Sequence, residues 1–216
     1  MRPYKLSELQ FAAPYFSAID CVLNDQQALY CSSELTSGLR LYTELGKYNV
    51  TSAVDLKKQR GEDWFTKNIW DVNVQSANEF ATSIRLAHKG SIVITPAPLK
   101  VQDWGQPDYT AFWDELIRTR VKEVHFNRNW EYSNGCTAEA VGAFDAGVPA
   151  FDSNGNALEV DTAIALLEKA IENLIKDHFG TAKLEKNLHR LRSLAERRIV
   201  SRTSLKVPTP QTFYRD

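Results

Sequence analysis

The sequence predicts an α/β protein, with an open, mostly parallel sheet of about five strands, flanking helices and a C-terminal helical extension. The first observation is the segment 124–152. A short strand-like run, Val124–Phe126, precedes a polar loop containing Gly135. A helix of small and apolar residues over Cys136–Ala146 and a second strand-like run at 148–151 follow. Strand, loop, helix and strand in this order form the repeating unit of a parallel α/β sheet.

Two further patterns support this class of fold. Ser91–Thr95 is a continuous β-branched run, typical of a strand buried on both faces. Asp161–Phe179 carries the apolar stripe of an amphipathic helix, and 183–199 repeats it. The other predicted elements are helices over 14–23, 39–45, 68–86 and 109–120, and strands over 28–31 and 50–54. We therefore expect an N-terminal arm at 1–27, an α/β domain at 28–180, and a C-terminal helix with an extended tail at 181–216.

Composition argues against several classes of function. The net charge of −1 gives no basis for binding nucleic acid or an anionic membrane surface. No apolar run reaches the roughly 18 residues of a transmembrane helix, and the N-terminus lacks the pattern of a signal peptide. Cys21, Cys31 and Cys136 show no paired spacing, so we expect reduced thiols in a cytoplasmic protein. No metal or other cofactor is predicted, because no metal-ligand spacing joins the histidines at 88, 125, 178 and 189.

Glu139 is the one residue of the central helix that an ordinary packing helix does not explain. Its neighbours are small or apolar, so the helix is expected to pack against the sheet. We place Glu139 in the first turn, at the carboxyl end of a strand, where open α/β sheets bind ligands. Two interpretations stay open. The carboxylate either caps its own helix and complements the helix dipole, or takes part in chemistry.

The residues before Glu139 favour an anion or a sugar. Gly135 permits a tight turn into the helix, whose N-terminus offers N–H groups and a partial positive charge. Ser133 and Thr137 add hydroxyl groups. A carboxylate beside such a turn suits glycosidic chemistry, because its transition state resembles an oxocarbenium ion. A second carboxylate would complete the pair, and Asp114 and Glu115 are the candidates.

Two other segments are candidate walls of the pocket. The loop from Ser32 to Gly38 follows a predicted strand and precedes a helix, a geometry that suits a phosphate or sugar but also describes an ordinary turn. Trp104 lies in a polar loop after the 91–95 strand. It either stacks on a ring of the ligand or anchors its loop to the core.

The pattern N-W-x-x-S-x-G-C-x-x-E at 129–139, followed by a helix of small residues and then G-x-P at 147–149, resembles the nucleoside 2-deoxyribosyltransferase-like superfamily. The resemblance implies a Rossmann-like protein that breaks the bond between a base and its ribose or deoxyribose. It also implies that Glu139 is the catalytic carboxylate and that Ser133 binds a 5′-phosphate. The second carboxylate would be Glu115 by ungapped counting, with Asp114 one residue away.

The same resemblance extends to the rest of the pocket. The first loop, including Ser32, Ser33 and Gly38 and followed by Arg40, would line the sugar and phosphate pocket. Homo-oligomers are common in that superfamily, and a neighbouring subunit completes the pocket.

We therefore expect an N-glycosidase or N-glycosyltransferase that acts on a nucleoside or nucleoside 5′-monophosphate, and hydrolysis and transfer remain alternatives. Residues near the site, including Gly135 and Asn129, would contact the substrate. The base would stack on Trp104, Trp130 or Tyr132. Two alternative hypotheses remain, namely that the protein is a non-catalytic nucleotide-sensing module or a purely structural α/β protein.

Overall fold

The computed structural model describes residues 6–204, and the predicted extended tail at 207–216 lies outside them. Four parallel strands form one sheet in the order β2-β1-β3-β4. Their bounds are β1 Ala28–Ser32, β2 Val93–Ile94, β3 Val121–Phe126 and β4 Ala150–Phe151. The predicted α/β class and parallel sheet, with helices around it, are confirmed.

The predicted strand at 50–54 is wrong, so the described chain has four strands where about five were expected. Ser52 instead caps a helix, α3, that runs over Ala53–Arg60, and its hydroxyl accepts a hydrogen bond from the Asp55 N–H at 3.1 Å. This local cap outweighs the β propensity of the adjacent valines and threonine. The predicted strand at 91–95 shortens to Val93–Ile94 and is only half-buried, because β2 lies at the edge of the sheet.

The helices match the predicted ones with ends displaced by a few residues, and short helical turns are added between them. The remaining helices are α1 Ala13–Leu23, α2 Leu39–Lys47, α4 Glu62–Phe65, α5 Asp71–Ala87, α6 Gln106–Arg120, α7 Asn134–Ala146, α8 Val160–Lys176 and α9 Ala182–Ser204. The turns are a 3-10 helix at Leu6–Ala12, a π-helical turn at Thr66–Trp70 and a 3-10 turn at Trp130–Tyr132.

Within residues 6–204, every helix is too short or too polar to cross a lipid bilayer.

The two faces of the sheet are covered differently. Alternate residues of β1 point to opposite faces. Leu29 and Cys31 face α5, where they pack against Phe80 and Ile84. Tyr30 faces the larger core, which α6, α7, α8 and α9 share.

Both terminal segments belong to that larger core. The ring of Phe16, from α1, stacks on Phe112 of α6 with centroids 4.8 Å apart. Leu184 and Leu191, from α9, are fully buried. Burial of side chains of this size contributes roughly 1.5–3 kcal/mol each, so both terminal helices stabilise the α/β unit.

The strand order creates a crevice between β1 and β3. Along the chain, β1 is followed by β2 on one side of it, and β3 then returns to its other side. The loops after β1 and β3 therefore leave the sheet in opposite directions, and ligands bind at such a point in open α/β sheets. Ser32 and Phe126 are neighbours at these two strand ends.

Candidate functional site

Glu139 lies in the second turn of α7, and the prediction that it lies in the first turn is wrong. The helix begins earlier, at Asn134, because the Ser133 hydroxyl accepts a hydrogen bond from the Cys136 N–H at 3.4 Å. Ser133 is therefore the helix cap. The capping interpretation does not apply to Glu139, whose carboxylate accepts hydrogen bonds from side chains of β1 and not from the backbone of its own helix.

The carboxylate of Glu139 is held by two hydroxyl groups of β1. Tyr30 donates to Oε1 at 2.9 Å, and Ser32 donates to Oε2 at 2.6 Å. These two residues are two positions apart on a strand, so their side chains share the face that packs against α7. Each carboxylate oxygen thus has its own donor, which fixes the orientation of the group.

Burial dominates the ionisation of this site. Removal from water raises the pKa of Glu139 to about 7, while the hydrogen bonds from Ser32 and Tyr30 act in the opposite direction. Burial, with the charge of Glu139, raises the pKa of Tyr30 well above its usual value, so Tyr30 remains a hydroxyl donor. A carboxyl group with a pKa near neutrality in a crevice is typical of catalytic sites.

A small cleft of about 60 Å³ opens beside Glu139 between α6, α7 and α9. Asp114 and Glu139 both line it, together with Gln106, Thr110, Trp113, Gly135, Ala138 and Arg190. A larger, shallow depression of about 720 Å³ follows the exposed face of α5, but none of the predicted site residues lines it. We therefore assign the site to the smaller cleft, where the carboxylates meet.

Asp114 is the carboxylate that shares this cleft with Glu139. Arg118 fixes the Asp114 carboxylate. The Arg118 Nε donates a hydrogen bond to Asp114 Oδ2 at 2.8 Å, and Arg118 Nη2 lies 3.0 Å from Asp145 Oδ2. Gly142 leaves room for this arrangement, since a Cβ there would lie 2.5 Å from Asp114 Oδ1. The second carboxylate is thus held by packing and by an ion pair.

Glu115 does not line the cleft. Its charge acts instead on Arg120, whose pKa is raised first by the hydrogen bond to Asp20 and, more weakly, by Glu115. Adjacent residues of a helix point about 100° apart, so Asp114 and Glu115 cannot both face α7. Of the two predicted candidates, the geometry favours Asp114.

The loop after β1 reaches the start of α7, which brings two predicted pocket segments together. The Ser37 hydroxyl accepts a hydrogen bond from the Asn134 N–H at 3.2 Å and lies 3.4 Å from the Ser133 hydroxyl. Ser33 is also buried in this loop, and within the described chain its hydroxyl makes no hydrogen bond. The Ser37 and Ser133 hydroxyl groups therefore lie together at the N-terminus of α7.

Glu34 was not predicted, although it is the one charged side chain of the Ser32–Gly38 loop. Its Oε2 accepts a hydrogen bond from the Leu39 N–H at 3.0 Å, so the chain's own carboxylate occupies the N-terminus of α2. Burial raises the pKa of Glu34 to about 7, and the Leu39 hydrogen bond partly opposes this rise. Gly38 has a φ of 133°, and a Cβ there would overlap the Glu34 carboxylate.

The predicted aromatic residues are used in packing. Trp104 contacts four rings, including Tyr15 at 5.0 Å and Tyr109 at 5.1 Å between centroids, so it anchors its loop. Trp130 is buried against Phe126 at 4.9 Å. The aromatic residue of the cleft is Trp113, next to Asp114 on α6.

The predicted polar residues outside the cleft either bind other residues of the chain or are exposed to solvent. Arg40 is exposed, and its Nε donates to Asn73 Oδ1 at 3.1 Å. Asn129 is exposed and adopts a left-handed φ of 63° where the chain turns before Trp130. The Tyr132 hydroxyl accepts a hydrogen bond from the Asn173 amide at 2.9 Å. We find none of these three residues among those that line the cleft.

Arg190 of α9 brings a cation to the cleft. A buried hydrogen bond of 2.9 Å, donated by Asn187 Nδ2 of α9 to Thr137 Oγ1 of α7, fixes α9 against α7. Within residues 6–204, the Arg190 guanidinium makes no hydrogen bond or ion pair. Arg190 is one of many basic residues in the sequence of this helix, and only the packing of α9 on α7 shows that it lines the cleft.

No protein-family model, curated protein or solved structure matches this chain, so its family is not shown. The resemblance to the nucleoside 2-deoxyribosyltransferase-like superfamily therefore stays a hypothesis.

Proposed function

We propose that the protein cleaves the N-glycosidic bond of a nucleoside or nucleoside 5′-monophosphate, with Glu139 as the nucleophile. The observation that carries the proposal is the Glu139 carboxylate, held at the crevice between β1 and β3 by Tyr30 and Ser32 and sharing a cleft with Asp114. Two carboxylates beside one cleft suit a reaction at a sugar carbon that passes through an oxocarbenium-like state.

The chemistry follows from the two positions. One oxygen of Glu139 attacks C1′ as the bond from C1′ to the base nitrogen breaks, and the departing base takes the electron pair and a proton from solvent. Asp114 orients a sugar hydroxyl or assists this departure. Water then attacks C1′, gives up a proton to solvent and regenerates the Glu139 carboxylate with release of the sugar, or a second base attacks and completes transfer. Tyr30 and Ser32 stabilise the ionised carboxylate before the first step and again after the second step has released it.

Arg190 and the start of α7 support a monophosphate as the preferred substrate. The guanidinium and Gly135, at the first turn of α7, line the same cleft. A helix N-terminus and an arginine both favour an anion. The 5′-phosphate would lie between them, with the Ser133 and Ser37 hydroxyl groups nearby.

The size of the cleft supports an assembly of subunits. Its volume of about 60 Å³ is well below the roughly 300–1,000 Å³ of pockets that enclose a whole small-molecule ligand. The C1′ edge of the sugar would enter the cleft, and the rest of the substrate would lie at its mouth, with the base against a second copy of the chain. We therefore propose that the protein is a homo-oligomer. Light scattering at several protein concentrations tests this proposal.

A panel of ribonucleosides, deoxyribonucleosides and their 5′-monophosphates tests the reaction. Each is incubated with the protein, with and without a second free base, and chromatography measures the released or exchanged base. We expect release of a free base from at least one compound. Binding of a nucleotide without release would support the sensing module instead.

A charge variant separates the two substrate classes. Arg190→Gln should raise the KM for a monophosphate by roughly tenfold or more and leave the corresponding nucleoside unaffected, because one charged contact is lost. Arg192→Gln is the matched control, since Arg192 is exposed and pairs with Glu168 at 2.7 Å. Equal effects on both substrates would exclude Arg190 as the phosphate ligand.

A further inference from the structure

A second cluster of titratable groups lies on the opposite face of the sheet from Glu139. His88, Glu123 and His125 each present one ligand atom, and these three atoms all lie within 4.8 Å of one another. Although 37 residues separate the histidines in sequence, their ring centroids are 5.2 Å apart. The cluster plays no part in the proposed glycosidic chemistry.

The fold explains why these residues meet. Glu123 and His125 are two positions apart on β3, so their side chains share one face of the sheet. His88 directly follows the last residue of α5, the helix that covers this face. Phe151 of β4 stacks on the His125 ring with centroids 5.1 Å apart and planes 17° apart, which fixes the plane of the imidazole.

His125 lacks the hydrogen bonds that a buried imidazole needs. Only 2% of the residue is exposed, and neither ring nitrogen makes a hydrogen bond with the described chain. The Glu123 carboxylate lies 3.4 Å from Nε2, too poorly placed to satisfy it. Nearly all buried polar groups in proteins have a bonding partner, so the two unpartnered ring nitrogens of His125 indicate that a further group binds there.

His125 can supply a ring nitrogen to a metal ion. The residue is buried, neither ring nitrogen is engaged in a hydrogen bond with the described chain, and histidine is the commonest metal ligand in proteins.

We propose that His88, Glu123 and His125 form a binding site for a divalent transition metal ion, with zinc as the best match. Two imidazoles and one carboxylate are a known ligand set for zinc, with bonds of about 2.0–2.2 Å. Tetrahedral bonds of that length place ligand atoms about 3.3 Å apart. Glu123 and His125 already meet this spacing at 3.4 Å, and the other separations, at most 4.8 Å, must shorten by no more than about 1.5 Å. His88 and Glu123 are half-buried and can make this adjustment, and water would fill the fourth position.

Direct metal binding tests this site independently of any activity. The full chain is freed of metal with a chelator, and ZnCl2 is then titrated in by calorimetry. CoCl2 is titrated in parallel, because tetrahedral cobalt absorbs visible light strongly. We expect about one zinc ion per chain and a tetrahedral cobalt spectrum.

Variants of the two accessible ligands locate the ion. His88→Ala and Glu123→Gln should each weaken zinc binding by at least about tenfold, since even loss of an outer-shell partner of a metal ligand costs about 10–100-fold. His189→Ala is the matched control, because it removes an exposed histidine of α9. The proposal is overturned if the wild-type chain takes up no zinc, or if His88→Ala and Glu123→Gln bind it as tightly as the His189→Ala control.

Discussion

Replacing Glu139 with glutamine should stabilise the protein above pH 7, even though it removes the proposed nucleophile. In the folded chain the pKa of Glu139 is raised to about 7 from an ordinary 4.5. Between these two values the folded state binds more protons than the unfolded state, so the free energy of unfolding falls as pH rises. Above pH 7 the wild type carries the whole cost of a buried, ionised carboxylate.

The size of the effect follows from the same two pKa values. Their difference corresponds to roughly 3 kcal/mol at alkaline pH. Because Glu139 is partly open to the cleft, we expect glutamine to recover about 1–3 kcal/mol at pH 8 and almost nothing near pH 4.5. Glutamine keeps the shape of the side chain, and its amide can pair with the Tyr30 and Ser32 hydroxyl groups.

Urea unfolding followed by circular dichroism at pH 5, 6, 7 and 8 measures this difference. Glu196→Gln, which removes a carboxylate from the exposed face of α9, controls for the change in net charge. The reasoning is refuted if Glu139→Gln and the wild type keep the same stability difference at every pH, or if glutamine destabilises the chain at pH 8.

Three other substitutions test single contacts of the site. Tyr30→Phe removes the hydroxyl that donates to the ionised Glu139 carboxylate at 2.9 Å, so the pKa of Glu139 should rise. The acid limb of the profile of kcat/KM against pH should then move up by about one to two pH units, and an unmoved limb would contradict the role of this hydrogen bond. Gly142→Ala brings a Cβ within 2.5 Å of Asp114 and should cost about 1–3 kcal/mol in urea unfolding, whereas Gly135→Ala, whose closest contact would be 3.9 Å, should be neutral or stabilising. Asn187→Ala leaves the buried Thr137 hydroxyl without its 2.9 Å donor and should lower the free energy of unfolding by about 1–3 kcal/mol; a smaller loss would mean that α9 is held mainly by its leucines.

The sequence identifies the parts of the site that contrast with their surroundings. Glu139 stands out in a helix of small residues, and Asp114 precedes the central strand by a few residues. Ser32 follows an apolar run at its carboxyl end. These contrasts are local, so pattern reasoning detects them without knowledge of the packing.

Other parts depend on contacts between distant segments and leave no local pattern. Tyr30 is indistinguishable in sequence from an ordinary core residue of β1, although its hydroxyl binds Glu139. Arg190 enters the cleft only because α9 packs on α7, and His88 meets His125 only because the end of α5 brings His88 beside β3. The predicted strand at 50–54 fails for the opposite reason, since the cap at Ser52 is a local signal stronger than the apolar run around it.

The rate of base release by Glu139→Gln, relative to Glu34→Gln, tests the central claim most directly. Burial raises the pKa of both glutamates to about 7, but only Glu139 lines the cleft with Asp114. On the best compound of the nucleotide panel we expect Glu139→Gln to lose at least about a thousandfold in kcat, because the amide cannot form the glycosyl ester, and Glu34→Gln to stay within about tenfold of the wild type. Undiminished base release by Glu139→Gln would contradict the assignment of Glu139 as the nucleophile.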